Sequence, residues 1–157
     1  VERYCGVDIN EKVVAAARTV SSSQFIHGDW LKMDLTLLGQ FDAIIALATM
    51  EVAVCKEGNQ FLTYDKFIDN ILALKPKVSC LSFCRSIERP EDIIEERKSP
   101  HPYGSTLYEA YYSQQKIENY LNKAGVTYKL QVIRENPPDT VLLLYLHENH
   151  KSVIMGR

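Results

Sequence analysis

The chain has 157 residues, of which 46% are hydrophobic and 24% are charged, and its formal net charge is −2. This length and composition are typical of a single globular domain that buries a sizeable core. The balanced charge argues against a general nucleic-acid-binding protein, which usually carries a basic surplus. No apolar run approaches the roughly 20 residues needed to span a membrane, so we expect no membrane partner.

The cysteines and histidines show no metal or disulfide pattern. The chain has four cysteines, none of them spaced as C-x-x-C: Cys5, Cys55, Cys80 and Cys84. Three of them lie in predicted strands, where a thiol behaves as a small apolar side chain. We therefore expect reduced cysteines in a cytoplasmic protein. His147 and His150 lie close together, but no cysteine or carboxylate completes a set of ligands, so no metal site is expected.

The first thirty residues contain two short apolar runs with a helical pattern between them. The pattern predicts a strand from Arg3 to Ile9 and a second strand from Gln24 to His27. Asn10 is a good N-cap for the helix that follows the first strand. Apolar residues at Val13, Val14, Ala17 and Val20 place a stripe on one face of that helix.

An acid lies at the end of each strand: Asp8 near the end of the first and Asp29 just after the second. The carboxyl ends of parallel strands meet at one rim of a sheet, which is where open α/β sheets bind ligands. We expect Asp8 to accept hydrogen bonds from the two hydroxyls of a ribose, and Asp29 to accept one from an adenine amino group. Trp30 offers a flat apolar face for the ring, and Gly28 permits close approach of the backbone. An alternative for Asp29 is that it caps the short turn that follows.

Several short segments follow one another along the chain in the order and at the spacing of a known set of motifs. They are Gly6-Val7-Asp8-Ile9, Val14, Ala17-Arg18, Gly28-Asp29, Phe41-Asp42-Ala43-Ile44-Ile45 and Leu74-Lys75-Pro76. Together they resemble the class I S-adenosylmethionine-dependent methyltransferases, over most of the chain to about Asn149. The resemblance implies S-adenosylmethionine as the cofactor. It also implies a set of cofactor-binding residues: Asp8, Ile9, Gly28, Asp29, Trp30, Ala46 and Leu47. The contacts of the last two would be made largely by the backbone.

The family begins with a strand and a glycine-rich loop that holds the methionine end of the cofactor, and this sequence opens on what corresponds to the second strand. The implied fold is α/β and Rossmann-like: a mostly parallel sheet with an antiparallel C-terminal hairpin, without the first strand and the glycine-rich loop. We expect one methyltransferase-like domain over residues 1–150 and a tail over 151–157. An omitted upstream segment, a partner strand or a rearranged sheet would fill the gap left between the second and fourth family strands.

The apolar run from Phe41 to Leu47 predicts a strand covered on both faces. In many members of the family that the chain resembles, a Glu-His pair follows this strand and faces the active site; here Glu51 is present, with Val52 in place of the histidine. Glu51 is therefore a candidate catalytic residue, for substrate contact or proton acceptance. The alternative is a solvated loop residue or an acid at a helix start.

The sequence after residue 53 predicts further loops, helices and strands. The segment Val54 to Gln60 has the glycine of a loop, and a helix that begins near Thr63 ends at Pro76. A polar helix is expected from Pro90 to about Lys98, because proline and acids suit a first turn. The remaining expectations are a strand over 78–84, a tyrosine-rich loop over 99–112 that packs on the domain or holds a substrate, a helix after Ser113, and paired strands over 127–134 and 140–147.

The leading hypothesis is methyl transfer from S-adenosylmethionine to a small-molecule acceptor. One alternative is a non-catalytic protein of the same fold that acts as a scaffold or dimer partner. Another is a nicotinamide-dinucleotide enzyme, because an acid after the second strand binds ribose there as well. Nucleic acid is not the expected partner, and a homo-oligomer is left open.

Overall fold

The computed structural model describes residues 3–85, 92–98, 106–134 and 140–147. The chain divides into two compact units, Val1–Gly39 and Gln40–Arg157. The single domain expected over 1–150 remains a prediction, and the expected tail, 151–157, lies outside the described residues. None of the helices within the described ranges is both long and apolar enough to cross a membrane.

The first unit is a strand–helix–strand motif. It consists of β1 (Cys5–Asp8), α1 (Glu11–Val20) and β2 (Gln24–His27), followed by a 3-10 turn at Leu35–Leu37. The side chain of Asn10 caps α1, as predicted, by accepting hydrogen bonds from two backbone N–H groups in its first turn. The two strands are parallel and directly connected by the helix, which is the arrangement expected of a βαβ unit.

Glycine at position 6 is required by the packing of this motif. Gly6 lies opposite Phe25 in the β1–β2 register. A Cβ atom at Gly6 would come within 2.8 Å of the Phe25 ring, which therefore occupies the space of the absent side chain. Arg18, near the end of α1, donates a hydrogen bond of 2.6 Å to the Phe25 carbonyl and ties the helix to β2. Val14, on the inner face of α1, is 2% exposed.

The second unit combines a sheet, two hairpins and two helices. Its elements follow in chain order: β3 (Ala43–Ala46), β4 (Cys55–Glu57), β5 (Gln60–Leu62), α2 (Tyr64–Ala73), β6 (Val78–Arg85), β7 (Ile93–Lys98), β8 (Thr106–Tyr111), α3 (Gln114–Lys123), β9 (Thr127–Arg134) and β10 (Thr140–His147). The main sheet has the order β3-β6-β10-β9. β3 and β6 are parallel, and β10 inserts antiparallel between β6 and β9. The predicted antiparallel C-terminal hairpin is thus present.

The core of this unit is formed by apolar side chains of β6, α2 and α3. Its fully buried members include Ile68, Ile71, Leu81, Phe83, Ile117 and Leu121. The turn before β6, Leu74-Lys75-Pro76-Lys77, contains no glycine. Lys75 adopts a positive φ of 49° instead, which is an uncommon conformation for a residue with a Cβ atom.

Two hairpins differ from the predicted elements. Ile93–Lys98 was predicted as part of a polar helix, but it is a strand paired antiparallel with β8, which lies in the predicted tyrosine-rich loop. The prediction was wrong because Ile93 and Ile94 favour a strand once a distant partner is available. The predicted loop at 54–60 is a hairpin of β4 and β5, in which Gly58 supplies the positive φ that a tight hairpin turn needs. Each hairpin forms a two-stranded antiparallel sheet of its own, separate from the main sheet.

Two parallel strands have a partner on one edge only. Within the described residues, β1 pairs with β2 alone and β3 with β6 alone. In the second unit the β3 segment also exposes apolar side chains, with Ile45 73% and Leu47 53% exposed. None of the four cysteines forms a disulfide bond.

We predict that Gly6→Ala destabilises the protein by roughly 1–3 kcal/mol, because the new methyl group overpacks against Phe25. Thermal unfolding followed by circular dichroism would measure the loss. Gly28→Ala is the matched control, since a Cβ there would meet Met33 at an ordinary distance of 3.7 Å. Equal melting temperatures for Gly6→Ala and the wild type would contradict the packing described above.

Candidate functional site

In the first unit, the structure places Asp8 and Asp29 at the same end of the β1–β2 pair. Asp8 lies opposite His27 in the parallel register. The backbone N–H of Gly28 donates a 3.0 Å hydrogen bond to the carbonyl of Asp8, which carries the pairing one step beyond the strands. The His27 Nε2 atom also lies 3.0 Å from the Ile9 carbonyl oxygen. Residues 8 and 9 are therefore held beside residues 27 to 29.

Each of the two carboxylates makes one local hydrogen bond. Asp8 Oδ1 accepts from the backbone N–H of Asn10 at 2.7 Å, and Asp29 Oδ1 accepts from the backbone N–H of Leu31 at 3.0 Å. The second bond shows that Asp29 does cap the turn that follows it, which was the alternative to ligand contact. The Oδ2 atoms of both acids have no hydrogen-bond partner in the part of the chain that the structure describes. One acceptor oxygen from each acid therefore remains for a ligand.

Nothing within the described structure requires glycine at position 28. Gly28 does not have a left-handed φ, and an added Cβ would make only ordinary contacts with Met33. Its neighbour Trp30 is half-buried, and Ile9 is 68% exposed. A glycine that the fold itself does not need is consistent with a position where a ligand approaches the backbone.

A hollow of about 190 Å³ lies beside β1 and α1. Its walls are mainly apolar and include Gly6, Val7 and Val14, with Asp8 as the charged residue. Asp29 and Trp30 are not part of its lining. Because typical small-molecule sites have volumes of roughly 300–1,000 Å³, this hollow by itself is too small for a whole nucleoside cofactor.

In the second unit, the segment after β3 leaves the sheet through a strained residue. Ala46 is the last residue of β3, and Leu47 offers its carbonyl to the Thr49 hydroxyl at 3.0 Å. Ala48 has a positive φ of 51°, and its backbone N–H donates a 2.7 Å hydrogen bond to the buried hydroxyl of Ser82. Such strain persists only where surrounding contacts enforce it, and it is common at functional sites.

Glu51 lies just beyond this strained residue and is buried. Its side chain is 8% exposed, and its Oε2 atom has no hydrogen-bond partner among the described residues. Burial raises the pKa of this carboxyl group above its ordinary value; a hydrogen bond from its own backbone N–H opposes the rise, and repulsion from Glu109 adds to it. The solvated-loop alternative for Glu51 is therefore wrong. A carboxyl group in this state can bind a donor or accept a proton.

Tyrosine side chains pack around the segment that carries Glu51. Tyr112 is fully buried and its hydroxyl donates to the Met50 carbonyl at 3.1 Å. Its ring contacts those of Tyr64 and Phe83 edge to face. Burial, followed by the charges of nearby acids, raises the pKa of Tyr64 to about 12. These phenols stay neutral at physiological pH. Tyr111 is buried as well as Tyr112, so two tyrosines of the 99–112 segment pack onto the domain, which was one of the two expected roles; Tyr103 lies outside the described residues.

Sequence reasoning missed Glu109 and Ser82. Glu109 is on β8, which was predicted as loop, so its neighbours could not be assigned from the sequence. Ser82 lies in the predicted strand, where a buried hydroxyl has no distinguishing pattern. Three residues that favour strands, Thr106, Tyr108 and Tyr111, were the signal that could have indicated β8.

The comparisons with known proteins rest on structure alone, since neither a protein-family model nor a curated protein sequence matches the chain. The N-terminal domain of EvdMO1, solved with S-adenosylhomocysteine (SAH) bound, superposes with a TM-score of 0.64 at 14% identity, covering 93% of this chain and 64% of that one. Magnesium protoporphyrin IX methyltransferase from Synechocystis, solved with S-adenosylmethionine (SAM), gives 0.57 at 17%, covering 93% and 60%.

The chain has the fold of the class I S-adenosylmethionine-dependent methyltransferases. A third similar structure is the Burkholderia thailandensis 1,6-didemethyltoxoflavin N1-methyltransferase with its substrate and SAH, at a TM-score of 0.57 and 14% identity, covering 93% of this chain and 61% of that one. This methyltransferase-fold chain thus spans about three fifths of the length of these relatives.

We predict that Glu51→Gln raises the melting temperature at pH 7 by a few degrees. The folded state holds the pKa of Glu51 above its unfolded value, so the folded protein binds the proton more tightly. Wild-type stability is then highest below the unfolded pKa and declines as pH rises through the folded pKa. The advantage of the glutamine should vanish near pH 4, as followed by thermal denaturation across a pH series. Because Glu96 is exposed, Glu96→Gln should leave the melting temperature at pH 7 near that of the wild type. A Glu51→Gln variant that melts lower at pH 7 would contradict the prediction.

Proposed function

We propose that this protein transfers a methyl group from S-adenosylmethionine to a small-molecule acceptor. The observation that carries the proposal is the parallel β1–β2 pairing, which brings Asp8 and Asp29 to one strand end in a chain with a methyltransferase fold. Open α/β sheets bind their ligands at that end of the strands. The structural relatives were solved with SAM or SAH, which supports the same cofactor here.

The acceptor oxygens of the first unit suit the nucleoside part of the cofactor. Asp8 would accept hydrogen bonds from the ribose hydroxyls through its unpartnered oxygen, and Asp29 would accept from the adenine amino group. Trp30 and Ile9 would supply apolar contact, and Gly28 would admit the ligand close to the backbone. In the second unit, the backbone of Ala46 and Leu47 would contact the cofactor. When bound, the cofactor supplies an activated methyl group on a positively charged sulfur.

Glu51 would contact the methyl acceptor or accept a proton from it. It is a buried carboxyl group with an unpartnered oxygen, and burial favours its neutral form. Such a group can hold a proton from the acceptor while a water-poor environment and fixed orientation promote transfer. A small acceptor agrees with the balanced charge of the chain and with the substrate bound in the Burkholderia relative. The absence of disulfide bonds fits a reducing compartment such as the cytoplasm.

Calorimetric titration with SAH tests the proposal. Asp8→Asn should weaken SAH binding on the order of 10- to 100-fold, because a hydrogen bond to a charged group contributes about 1.5–3 kcal/mol. The asparagine can still accept from the backbone of Asn10, so the local turn is retained. Asp34→Asn is the matched control: Asp34 is also exposed, in the same unit, and accepts a local hydrogen bond from Thr36.

The same titration with NAD separates the alternatives. Binding of SAH but not NAD supports the methyltransferase, and the reverse result would indicate a nicotinamide-dinucleotide protein. Failure of both ligands to bind would favour a scaffold. Unchanged SAH affinity in Asp8→Asn would remove that residue from the site.

Gly28→Ala should leave the melting temperature near that of the wild type but weaken SAH binding several-fold. The added methyl group meets only Met33 at van der Waals distance within the protein, whereas it would intrude on a ligand held close to the backbone. Thermal unfolding and SAH titration of the same sample measure the two effects. Wild-type affinity in this variant would show that the ligand does not approach residue 28.

A further inference from the structure

We propose that the side-chain hydroxyl groups of Ser82 and Tyr112 are positioning groups for Glu51, which hold the backbone around it so that its carboxyl group stays buried. The inference rests on the role proposed for Glu51 toward the methyl acceptor, and it names the residues on which that role depends. We refer to residues 48–53 as the Glu51 segment. Each hydroxyl group acts on the backbone of this segment, so neither residue is given a contact with the substrate.

The buried carboxyl group of Glu51 requires a backbone that is held in place. Its side chain is 8% exposed, and its Oε2 atom has no hydrogen-bond partner among the described residues. A buried polar atom without a partner costs free energy, and the cost is larger when the group is charged. A small rotation of the local backbone would return such a group to water. The burial of Glu51 therefore persists because contacts to its segment prevent that rotation.

Ser82 holds the first residue of the Glu51 segment. The parallel register of β3 and β6 ends at Ala46, which lies opposite Leu81. Ser82 is the next residue of β6, and its buried hydroxyl oxygen accepts a 2.7 Å hydrogen bond from the N–H of Ala48. The φ of Ala48 is 51°, which is uncommon for a residue with a Cβ atom. The hydroxyl oxygen thus acts in place of a strand carbonyl and stabilises the strained residue at which the chain turns toward Glu51.

Tyr112 holds the residue directly before Glu51. Its side chain is fully buried, and its hydroxyl donates a 3.1 Å hydrogen bond to the carbonyl of Met50, which is fully buried as well. Burial is the main cause that raises the pKa of this phenol, and the charges of Asp92 and Glu51 raise it further. The phenol therefore keeps its proton and remains a hydrogen-bond donor throughout the pH range in which a glutamate titrates.

The Glu51 segment is itself a hydrogen-bonded turn, so contacts at a few points hold all of it. The carbonyl of Thr49 accepts hydrogen bonds from the N–H groups of Val52 and Ala53, at 3.1 and 2.8 Å. The carbonyl of Glu51 accepts from the N–H of Ala110 at 2.8 Å. The two hydroxyl groups are the side-chain contacts to this turn, and substitution can remove each of them separately.

Titration of the Glu51 carboxyl group by carbon-13 NMR tests the proposal in the unliganded protein. The resonance that is absent from Glu51→Gln identifies the group. Ser82→Ala and Tyr112→Phe each remove one hydroxyl group and keep the rest of the side chain. In both variants the pKa of Glu51 should fall toward its ordinary value, because the loosened segment admits water to the carboxyl group. Repulsion from Glu109 on β8 also raises this pKa, and neither substitution alters that charge.

The stability of double variants provides a second measurement. Glu51→Gln should raise the melting temperature at pH 7 by less in the Ser82→Ala background than in the wild type, because less of the burial cost remains to be relieved. Independent sites would give equal gains in the two backgrounds. Equal gains would therefore contradict a link between Ser82 and Glu51.

Ser79→Ala and Tyr120→Phe are the matched controls. Ser79 is also a buried serine of β6, but its Oγ atom has no hydrogen-bond partner among the described residues. The hydroxyl of Tyr120 donates to Asp69 of α2 rather than to the Glu51 segment. Both controls should keep the raised pKa of Glu51. An unchanged pKa in Ser82→Ala or in Tyr112→Phe, or an equal fall in either control, would overturn the inference.

Titration of the wild type with SAH separates this inference from the proposed function. Binding of SAH, together with an unchanged pKa of Glu51 in the two variants, would remove the positioning role and leave methyl transfer standing. A lowered pKa in both variants without SAH binding by the wild type would establish the positioning of Glu51 and remove the cofactor assignment.

Discussion

The parallel pairing of short strands is the constraint on which the arrangement of this protein depends. Two parallel strands joined by a helix must end at the same edge, so residues that follow them meet whatever their separation in sequence. In the first unit this brings Asp8 beside Gly28 and Asp29, with the Gly28–Asp8 hydrogen bond extending the ladder. In the second unit the parallel pairing of β3 with β6 directs the chain through Ala48 to Glu51.

The carboxyl groups of Asp8 in the first unit and Glu51 in the second differ in their exposure to solvent. Asp8 is exposed, and it keeps one oxygen for a donor from outside while the other accepts from its own turn. Glu51 is buried, and burial raises its pKa. An exposed carboxylate suits recognition of hydroxyl and amino groups, whereas a buried carboxyl group suits exchange of a proton. This division follows from solvation, since both residues carry the same functional group.

The fold is shared with methyltransferases at identities of only 14–17%. A fold can persist at such identities because burial, strand alternation and turn chemistry restrict residue classes more than residue identities. The hairpin of β7 and β8 contacts the segment that follows β3. Through the Ala110 N–H group it reaches Glu51 and places Glu109 beside it, so it adds charge to a segment that the main sheet positions.

The sequence by itself determined the strands and helices with clear periodicity, the cap at Asn10, the C-terminal hairpin and the family likeness, because local spacing and capping chemistry carry those signals. It also singled out Asp8, Asp29 and Glu51. Only the tertiary structure decided that Ile93–Lys98 is a strand, that Glu51 is buried, and that Glu109 lies beside it. Those features depend on contacts that no local pattern records: β7 pairs with residues 8 to 18 positions later in the chain, and Ala110 binds the Glu51 carbonyl across 59 positions.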